Sequence, residues 1–444
     1  MQYKTQKNIN LSKEKNLSVA FCTLGCKVNS YETDLMRESF EGNGYNIVDF
    51  NDIANIYVIN SCSVTNLSTR KTRQQLSKAK RQGGIVVLAG CYAQEIKDKT
   101  DIKNVDIIIG NEEKNKIVEI VEEYIAKKGK LEYISDISKV KKYADTKILN
   151  KGINIRESVK IEDGCNNFCS YCIIPYVRGR VRSRKIEDIT QEVENLVKSK
   201  VKEVVLVGIE IASYGKDLED SISLIDVIEA VNKIEGLDRI RLGSIEPRVL
   251  TDEVIERLAN VEKLCHHFHL SVQSLDDNVL KRMNRKYNAS YVLETIEKIR
   301  KKMKDVSFTC DVIVGFPGET EEEFLNTYEM AKKIGFYEMH VFKYSKRKWT
   351  RAATMENQVD GKTAIKRSEK LIELASKNKK EYMEKFLNRK MNVIFESYKD
   401  GYLYGFTSNY IKVKVKGDKA LWGTLTKVEL CSIEGDLILG KLLQ

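Results

Sequence analysis

Proline is nearly missing from this chain: Pro175, Pro247 and Pro317 are all it has in 444 residues. Each follows an apolar run or a cysteine-rich loop, where a fixed φ stiffens the end of a strand. Also lacking is any run near the ~18 apolar residues that a membrane span needs, so no membrane partner is expected. Met1 to Asn16 is polar and lysine-bearing, without the apolar centre of a secretory signal, and the expected location is the cytoplasm. In that compartment ten cysteines argue for metal or redox chemistry rather than a disulfide framework. There is no low-complexity tract and no internal repeat beyond an alternation of β and α patterns. The four histidines, His266, His267, His269 and His340, lie on or beside apolar runs and read as packing residues.

What the chain does have is an ordinary core-forming composition, 42% hydrophobic and 31% charged. At roughly 150 residues per domain the length suggests about three domains. Over 17–128, short apolar runs at Ser18–Phe21, Ile56–Ile59 and Ile85–Leu88 alternate with helical patterns at Tyr31–Gly42, Leu67–Arg81 and Glu112–Lys127. That alternation predicts a doubly wound α/β domain with a parallel sheet. Residues 129–155 are lysine-rich and weakly patterned, and read as a linker. Over 156–388 six further apolar runs, separated by helices, predict a partial (β/α)6 barrel of the TIM type with its site at the carboxyl ends of the strands. From 389 to 444 the pattern changes to short β runs punctuated by glycine, which predicts a small antiparallel β-barrel.

The most specific motif follows the first strand of that central barrel. Glu162-Asp163-Gly164-Cys165-Asn166-Asn167-Phe168-Cys169-Ser170-Tyr171-Cys172 reads CxxxCxxC. Three thiolates so spaced hold three corners of a 4Fe–4S cube and leave one iron open. A structural zinc site is the bland alternative, but zinc takes four ligands and no Cys or His partner follows at suitable spacing. Three more cysteines, Cys26, Cys62 and Cys91, each stand just past a predicted strand of the N-terminal sheet. Such strand ends share one edge, where ligands collect, so these three are read as a second metal-binding set.

Other strand ends of the barrel carry Glu210, Ser244, Glu246, Gln273 and the turn Val314-Gly315-Phe316-Pro317. With Tyr171, Pro175 and Asp311 they read as the lining of a cofactor pocket. The net charge is +11, and cations concentrate in three runs. One is Arg178-Gly179-Arg180-Val181-Arg182-Ser183-Arg184-Lys185, directly behind the cysteine loop. A second lies on the helix after Cys62, with Arg70, Lys71, Arg73, Lys78, Lys80 and Arg81. The third, around Lys346 and Arg347, adds Tyr344 and Trp349. Cations beside stacking aromatics at a catalytic edge favour an RNA substrate.

From about Val19 onward the chain resembles the tRNA methylthiotransferases, members of the radical S-adenosylmethionine (SAM) superfamily. The resemblance rests on Thr23-Leu24-Gly25-Cys26-Lys27-Val28-Asn29-Ser30-Tyr31-Glu32-Thr33, Ser61-Cys62-Ser63-Val64-Thr65-Asn66 and Arg70-Lys71-Thr72-Arg73-Gln74. These segments are similar to the branch acting on N6-threonylcarbamoyladenosine. The resemblance implies two 4Fe–4S clusters: one on Cys165, Cys169 and Cys172 that cleaves SAM, and an auxiliary one on Cys26, Cys62 and Cys91 that handles the inserted sulfur. It implies transfer of a methylthio group to carbon 2 of the modified adenosine beside the anticodon, with an electron donor and a sulfur donor as further partners. It also implies that the C-terminal barrel is a TRAM-like domain gripping tRNA, with Asn409 and Tyr410 in the matching motif Gly405–Tyr410. The sequence departs from the usual pattern at Glu210, Ala212, Leu275, Lys343 and Trp349. Alternatives are action on isopentenyladenosine or a ribosomal protein, or a noncatalytic iron–sulfur protein that binds RNA.

Overall fold

A computed structural model describes residues 17–96, 102–127, 129–144, 154–219 and 222–443. The polar stretch 1–16 and positions 145–153 of the expected linker lie outside the described residues. The chain forms two compact units. The first holds the described residues up to Val140, with Ala144 and Tyr176–Arg178, and the second holds Lys141–Tyr143 and the described residues of 154–175 and 179–443.

In the first unit, β1 (Ser18–Thr23), β2 (Asn46–Val48), β3 (Ile56–Ser61), β4 (Ile85–Gly90), β5 (Ile107–Ile109) and β6 (Leu131–Tyr133) form one sheet in the order β2-β1-β3-β4-β5-β6. Every pairing is parallel. A parallel sheet covered on both faces needs strands apolar on both faces, and β3 is buried along its whole length. Val19, Phe21, Ile56, Val58 and Val87 pack on one side with Met36, Phe40, Ile117 and Val121. Ala20, Tyr57, Ile59, Val86 and Leu88 pack on the other with Leu76 and Ala79. Helix Asn66–Arg81 starts at Thr65, whose hydroxyl accepts from Ser68 N at 3.1 Å, and ends on Lys78, Lys80 and Arg81, matching cations to the negative end of the helix dipole. The short strands β2, β5 and β6 were not evident as apolar runs. Strand β6 also carries the sheet beyond 128, so the expected linker begins inside the sheet.

The second unit contains β7 (Arg156–Lys160), β8 (Glu162–Asp163), β9 (Arg182–Ser183), β10 (Glu203–Val207), β11 (Arg239–Leu242), β12 (Ser244–Ile245), β13 (His267–Gln273), β14 (Ser307–Val314) and β15 (Glu338–Lys343). The six expected βα repeats are present, but the strands divide into two sheets, β11-β10-β7 and β12-β13-β14-β15. The break falls at Gly243, whose amide donates to Leu206 O at 2.8 Å. Strands β8 and β9 pair antiparallel and flank the cysteine loop.

The last five strands, β16 (Lys390–Lys399), β17 (Tyr402–Thr407), β18 (Lys412–Lys416), β19 (Leu425–Glu434) and β20 (Leu437–Leu442), close into a barrel in the order β16-β17-β18-β20-β19. Closure uses one parallel pairing, β18 with β20, where an all-antiparallel barrel was expected. This barrel docks on the amino-terminal ends of the central strands. Arg239 donates to Phe406 O (2.8 Å) and Asn392 O (2.9 Å), while the Arg241 Nε donates to Glu203 Oε1 at 2.6 Å. Arg241 also lies over the Tyr410 ring, 4.7 Å from its centre, and His267 stacks on the same ring at 4.4 Å. Breaking such a buried pair costs about 3–5 kcal/mol because one charge is left uncompensated.

Candidate active site and metal centres

Cys165, Cys169 and Cys172 are brought together by the local backbone. Gly164 has φ +83°, and a Cβ placed on it would stand 1.8 Å from Arg180 O, so only glycine fits that close approach. Cys165 N donates to Gly179 O at 3.1 Å and Cys172 N to Cys169 O at 3.0 Å. Between them Phe168 takes a left-handed φ of 45° and carries the Arg180 guanidinium 4.6 Å above its ring. Asn167 N donates to Cys165 Sγ at 3.5 Å, and Arg285 Nη1 to Cys169 Sγ at 3.4 Å.

The Asn167 amide reaches Glu210 Oε2 (3.2 Å) and Glu246 Oε2 (3.0 Å), joining the loop to the ends of β10 and β12. Arg285 sits 3.8 Å from Glu246 and also donates to Ser271 O at 2.6 Å. Burial, and then the neighbouring Glu246 carboxylate, push Glu210 up to about 7. Deeper in, burial holds Glu162 well above the carboxylate range while its Oε2 accepts from Glu210 N at 2.8 Å. Two carboxylates from neighbouring strand ends thus meet an amide of the loop, a set suited to a cationic or hydroxyl-bearing ligand.

Tyr171 is half-buried, its ring edge-on to Phe316 at 6.5 Å. Pro175 opens the short helix Ile174–Arg178. Ser244 is exposed, and Gln273 is half-buried at φ 63° beside a bulge in β13. Gly315 does not present a free amide: its N–H is taken by Glu319 Oε2 at 2.6 Å, and that carboxylate is held by Arg367 at 2.7 Å. Asp311 lies between His269 and His340, 3.2 Å from each. Burial raises its carboxyl, but the two imidazoles outweigh that and hold it at about 2.

In the first unit the second cysteine set depends on strand ends. Asn29 Nδ2 donates to Leu24 O (2.7 Å) and Ser61 O (3.0 Å), tying the end of β1 to that of β3. Ser61 Oγ donates to Ala89 O at 2.5 Å and accepts from Tyr92 N at 3.2 Å, tying β3 to β4. Gly25, at φ +113°, lies so close to Cys62 that a Cβ on it would be 2.8 Å from Cys62 Cβ and 3.1 Å from its Sγ. The sheet order reverses at β1 and β3, the position where open parallel sheets bind ligands. Burial pushes the Cys62 thiol up to about 11, and Cys91 and Cys26 each add to the rise. Burial likewise pushes Cys172 up to about 12, with Cys169 adding. Thiols held in this way need a cation to become thiolates.

Both donor sets fit an iron–sulfur cube better than a single ion. A lone zinc at about 2.3 Å from each sulfur would draw three thiolates to roughly 3.8 Å of one another. Among the described residues, the only group bringing three ligand atoms within 4.8 Å is His269, Asp311 and His340, so neither cysteine set is pinched in that way.

Of the cations read as substrate contacts, Arg180 and Lys346 are exposed. The others have partners inside the protein. Arg178 is fully buried and bonds Glu32 and Asn29, Arg182 is 3.7 Å from Asp163, and Arg184 pairs with Glu192 at 2.6 Å. Arg347 is buried, its Nε donating to Lys346 O. Asn409 is 1% exposed, its amide donating to Asp305 O and Tyr382 OH, and Tyr410 is sandwiched between His267 and Phe406. The motif Gly405–Tyr410 therefore fastens the terminal barrel to the central one. A cationic run seen in sequence carries no sign of which members find carboxylates. Sequence reasoning missed Asn167 and Arg285. The polar run Lys281-Arg282-Met283-Asn284-Arg285-Lys286 was the available signal for Arg285. On the helix after Cys62, Asn66, Thr69, Arg70, Arg73, Gln74, Ser77 and Arg81 line a groove.

Residues 159–331 match the radical SAM superfamily, and residues 18–110 match uncharacterized protein family UPF0004. The chain is 40% identical over 421 residues to the threonylcarbamoyladenosine tRNA methylthiotransferase MtaB of Bacillus subtilis (strain 168), covering 93% of each. The chain belongs to the radical SAM tRNA methylthiotransferases. Within that family it is 37% identical to the MtaB of Aquifex aeolicus (strain VF5), over 93% of this chain and 100% of that one. It is 34% identical to a tRNA-2-methylthio-N(6)-dimethylallyladenosine synthase of Thermoanaerobacter sp. (strain X514), over 98% and 94%. The methylthiotransferase fold also resembles the radical SAM methyltransferase TsrM of Kitasatospora setae. A structure of TsrM with tryptophan and a SAM analogue bound gives a TM-score of 0.57 at 13% identity, over 76% of this chain and 75% of that chain. Another, with cobalamin and a [4Fe–4S] cluster bound, gives 0.55 at 12%, over 76% and 77%.

Proposed function

We propose that this protein is a tRNA (N6-L-threonylcarbamoyladenosine-C2)-methylthiotransferase. The observation that carries this reading is the pair of three-cysteine sets, one in a barrel loop and one at the reversal point of a parallel sheet, in a chain 40% identical to MtaB. Cys165, Cys169 and Cys172 would hold one 4Fe–4S cluster, and Cys26, Cys62 and Cys91 the other. When bound, the clusters and SAM supply radical and sulfur chemistry that no protein side chain can perform at an unactivated C–H bond.

The protein's own part is to bind, orient and exclude water. Gly164 and Phe168 fix the backbone of the loop that carries the three cysteines. Arg285 donates to Cys169 Sγ and is charge-balanced by Glu246. Asn167 fixes Glu210 and Glu246 toward the loop, where their carboxylates suit the amino group, sulfonium or ribose of SAM. Tyr171, Phe316 and Tyr344 pack as an apolar wall beside it. Arg180 and Lys346 offer exposed cations to RNA phosphates. Among the described residues no helix is long and apolar enough to cross a membrane. The electron donor and sulfur donor belong to the same reading as required partners.

Mass spectrometry of tRNA nucleosides from cells lacking the protein tests it. Loss of the methylthio form of threonylcarbamoyladenosine supports the reading. Its persistence, with loss of the methylthio isopentenyl form instead, would move the chain to the other branch.

A further inference from the structure

Arg178 was read from sequence as one cation in a run, yet its side chain is among the largest fully buried in the protein. All three of its nitrogens are used within the first unit. Nη1 donates to Glu32 Oε1 at 2.7 Å, and Nη2 donates to Glu32 Oε2 at 3.0 Å and to Asn29 Oδ1 at 2.6 Å. The remaining Nε donates to Cys91 Sγ at 3.3 Å. Glu32 is also held by Lys114 Nζ at 2.5 Å, although burial lowers the Lys114 pKa. Asn111 fixes the backbone carrying Arg178 by donating to Val177 O at 2.7 Å, and lies 3.8 Å from Cys91 Sγ. Asn29, which orients one end of the guanidinium, is the same residue that ties the ends of β1 and β3 between Cys26 and Cys62.

An arginine stays charged even when buried, so a fixed positive charge and an N–H donor meet one sulfur of the set. Hydrogen bonds to cluster sulfurs and nearby positive charge stabilise the reduced, more negative cluster and raise its potential. A carboxylate next to that cation acts in the opposite direction.

We propose that Arg178 is a positioning residue that sets the reduction potential of the cluster on Cys26, Cys62 and Cys91, with Glu32 as the opposing partner. The inference rests on the proposed reading that these three cysteines hold a cluster.

The test uses the full chain carrying Cys165→Ala, Cys169→Ala and Cys172→Ala, so that one cluster remains, reconstituted anaerobically and titrated with reductant under electron paramagnetic resonance. Arg178→Gln is expected to shift the midpoint to more negative values, lowering the reduced-to-oxidised ratio at the parent midpoint roughly tenfold, about 59 mV for one electron. Glu32→Gln is expected to shift it to more positive values. Unmoved midpoints, or shifts of the same sign, at full iron content overturn the role of Arg178 and leave the cluster assignment intact. Absence of iron from the parent triple variant overturns the cluster assignment itself. If Arg178→Gln alone fails to take up iron, the Glu32→Gln shift decides, and a shift to negative values or none overturns the inference.

Discussion

Cys165, Cys169 and Cys172 come from one short loop, whereas Cys26, Cys62 and Cys91 come from three separate strand ends of a parallel sheet. In the loop, backbone hydrogen bonds from Cys165 to Gly179, from Cys172 to Cys169 and from Ser170 to Met283 hold the segment that carries the sulfurs. In the sheet, side-chain bridges from Asn29, Asn60 and Ser61 hold the strand ends, and they form only once β1, β3 and β4 are paired. The loop ligands thus share one segment, which Met283 and Ala352 pin from farther along the chain, whereas the sheet ligands meet only in the assembled domain. An arginine donates to one sulfur in each, Arg285 to Cys169 and the buried Arg178 to Cys91.

The sharpest way to break the comparison is to remove one ligand from each set. Cys172→Ala should halve the iron content and abolish 5′-deoxyadenosine formation. Cys62→Ala should also halve the iron but leave 5′-deoxyadenosine measurable while ending methylthiolation. Iron assay and chromatography of the products check both, and retained methylthiolation in Cys62→Ala would remove that residue from the auxiliary site.

A smaller effect is expected from Gly25→Ala, because the new methyl meets Cys62 and the backbone is left-handed there. Strain of about 1–3 kcal/mol should loosen the sheet site and spare the loop site, which iron counts combined with the 5′-deoxyadenosine assay would reveal. Glu210 gives a pH signature confined to the loop side. Its carboxyl, held up near 7 by burial and Glu246, ionises as pH rises through that value and then attracts the positive charge of SAM. SAM affinity should therefore strengthen from about pH 6 to about pH 8, and Glu210→Gln should flatten the trend in equilibrium binding. The smallest effects belong to the surface. Arg180→Ala and Lys346→Ala should each weaken tRNA binding and reduce its salt slope by about one, whereas Arg184→Ala, deprived of its pairing with Glu192, should lower thermal stability instead.

How much was readable in advance follows from the same contrast. The loop site was legible because its ligands share one segment, and Cys26, Cys62 and Cys91 were legible once strand ends were placed on a common edge. Strands as short as Ile107–Ile109 and Leu131–Tyr133 carry too little pattern to be seen before their neighbours are known. The fate of the arginines was illegible for a different reason. Whether Arg184 meets phosphate or Glu192 depends on a partner on the following helix, and Arg178 depends on Glu32, far back in the chain. Gly405–Tyr410 was assigned to RNA contact by resemblance, and only its packing against the central barrel shows that the Asn409 amide is bonded there and the half-buried Tyr410 ring stacked.

That fastening has a consequence for how the chain is made. Arg239 and Arg241 are translated long before Asn392, Phe406 and Thr407, whose carbonyls accept their remaining hydrogen bonds. Until the final strands leave the ribosome, the floor of the central barrel is a cluster of buried charges without its cover. A premature stop near residue 389 would therefore yield more than an enzyme with a weaker hold on tRNA. It would release a protein with an unsealed underside, a substrate for chaperones and proteases before it ever met iron.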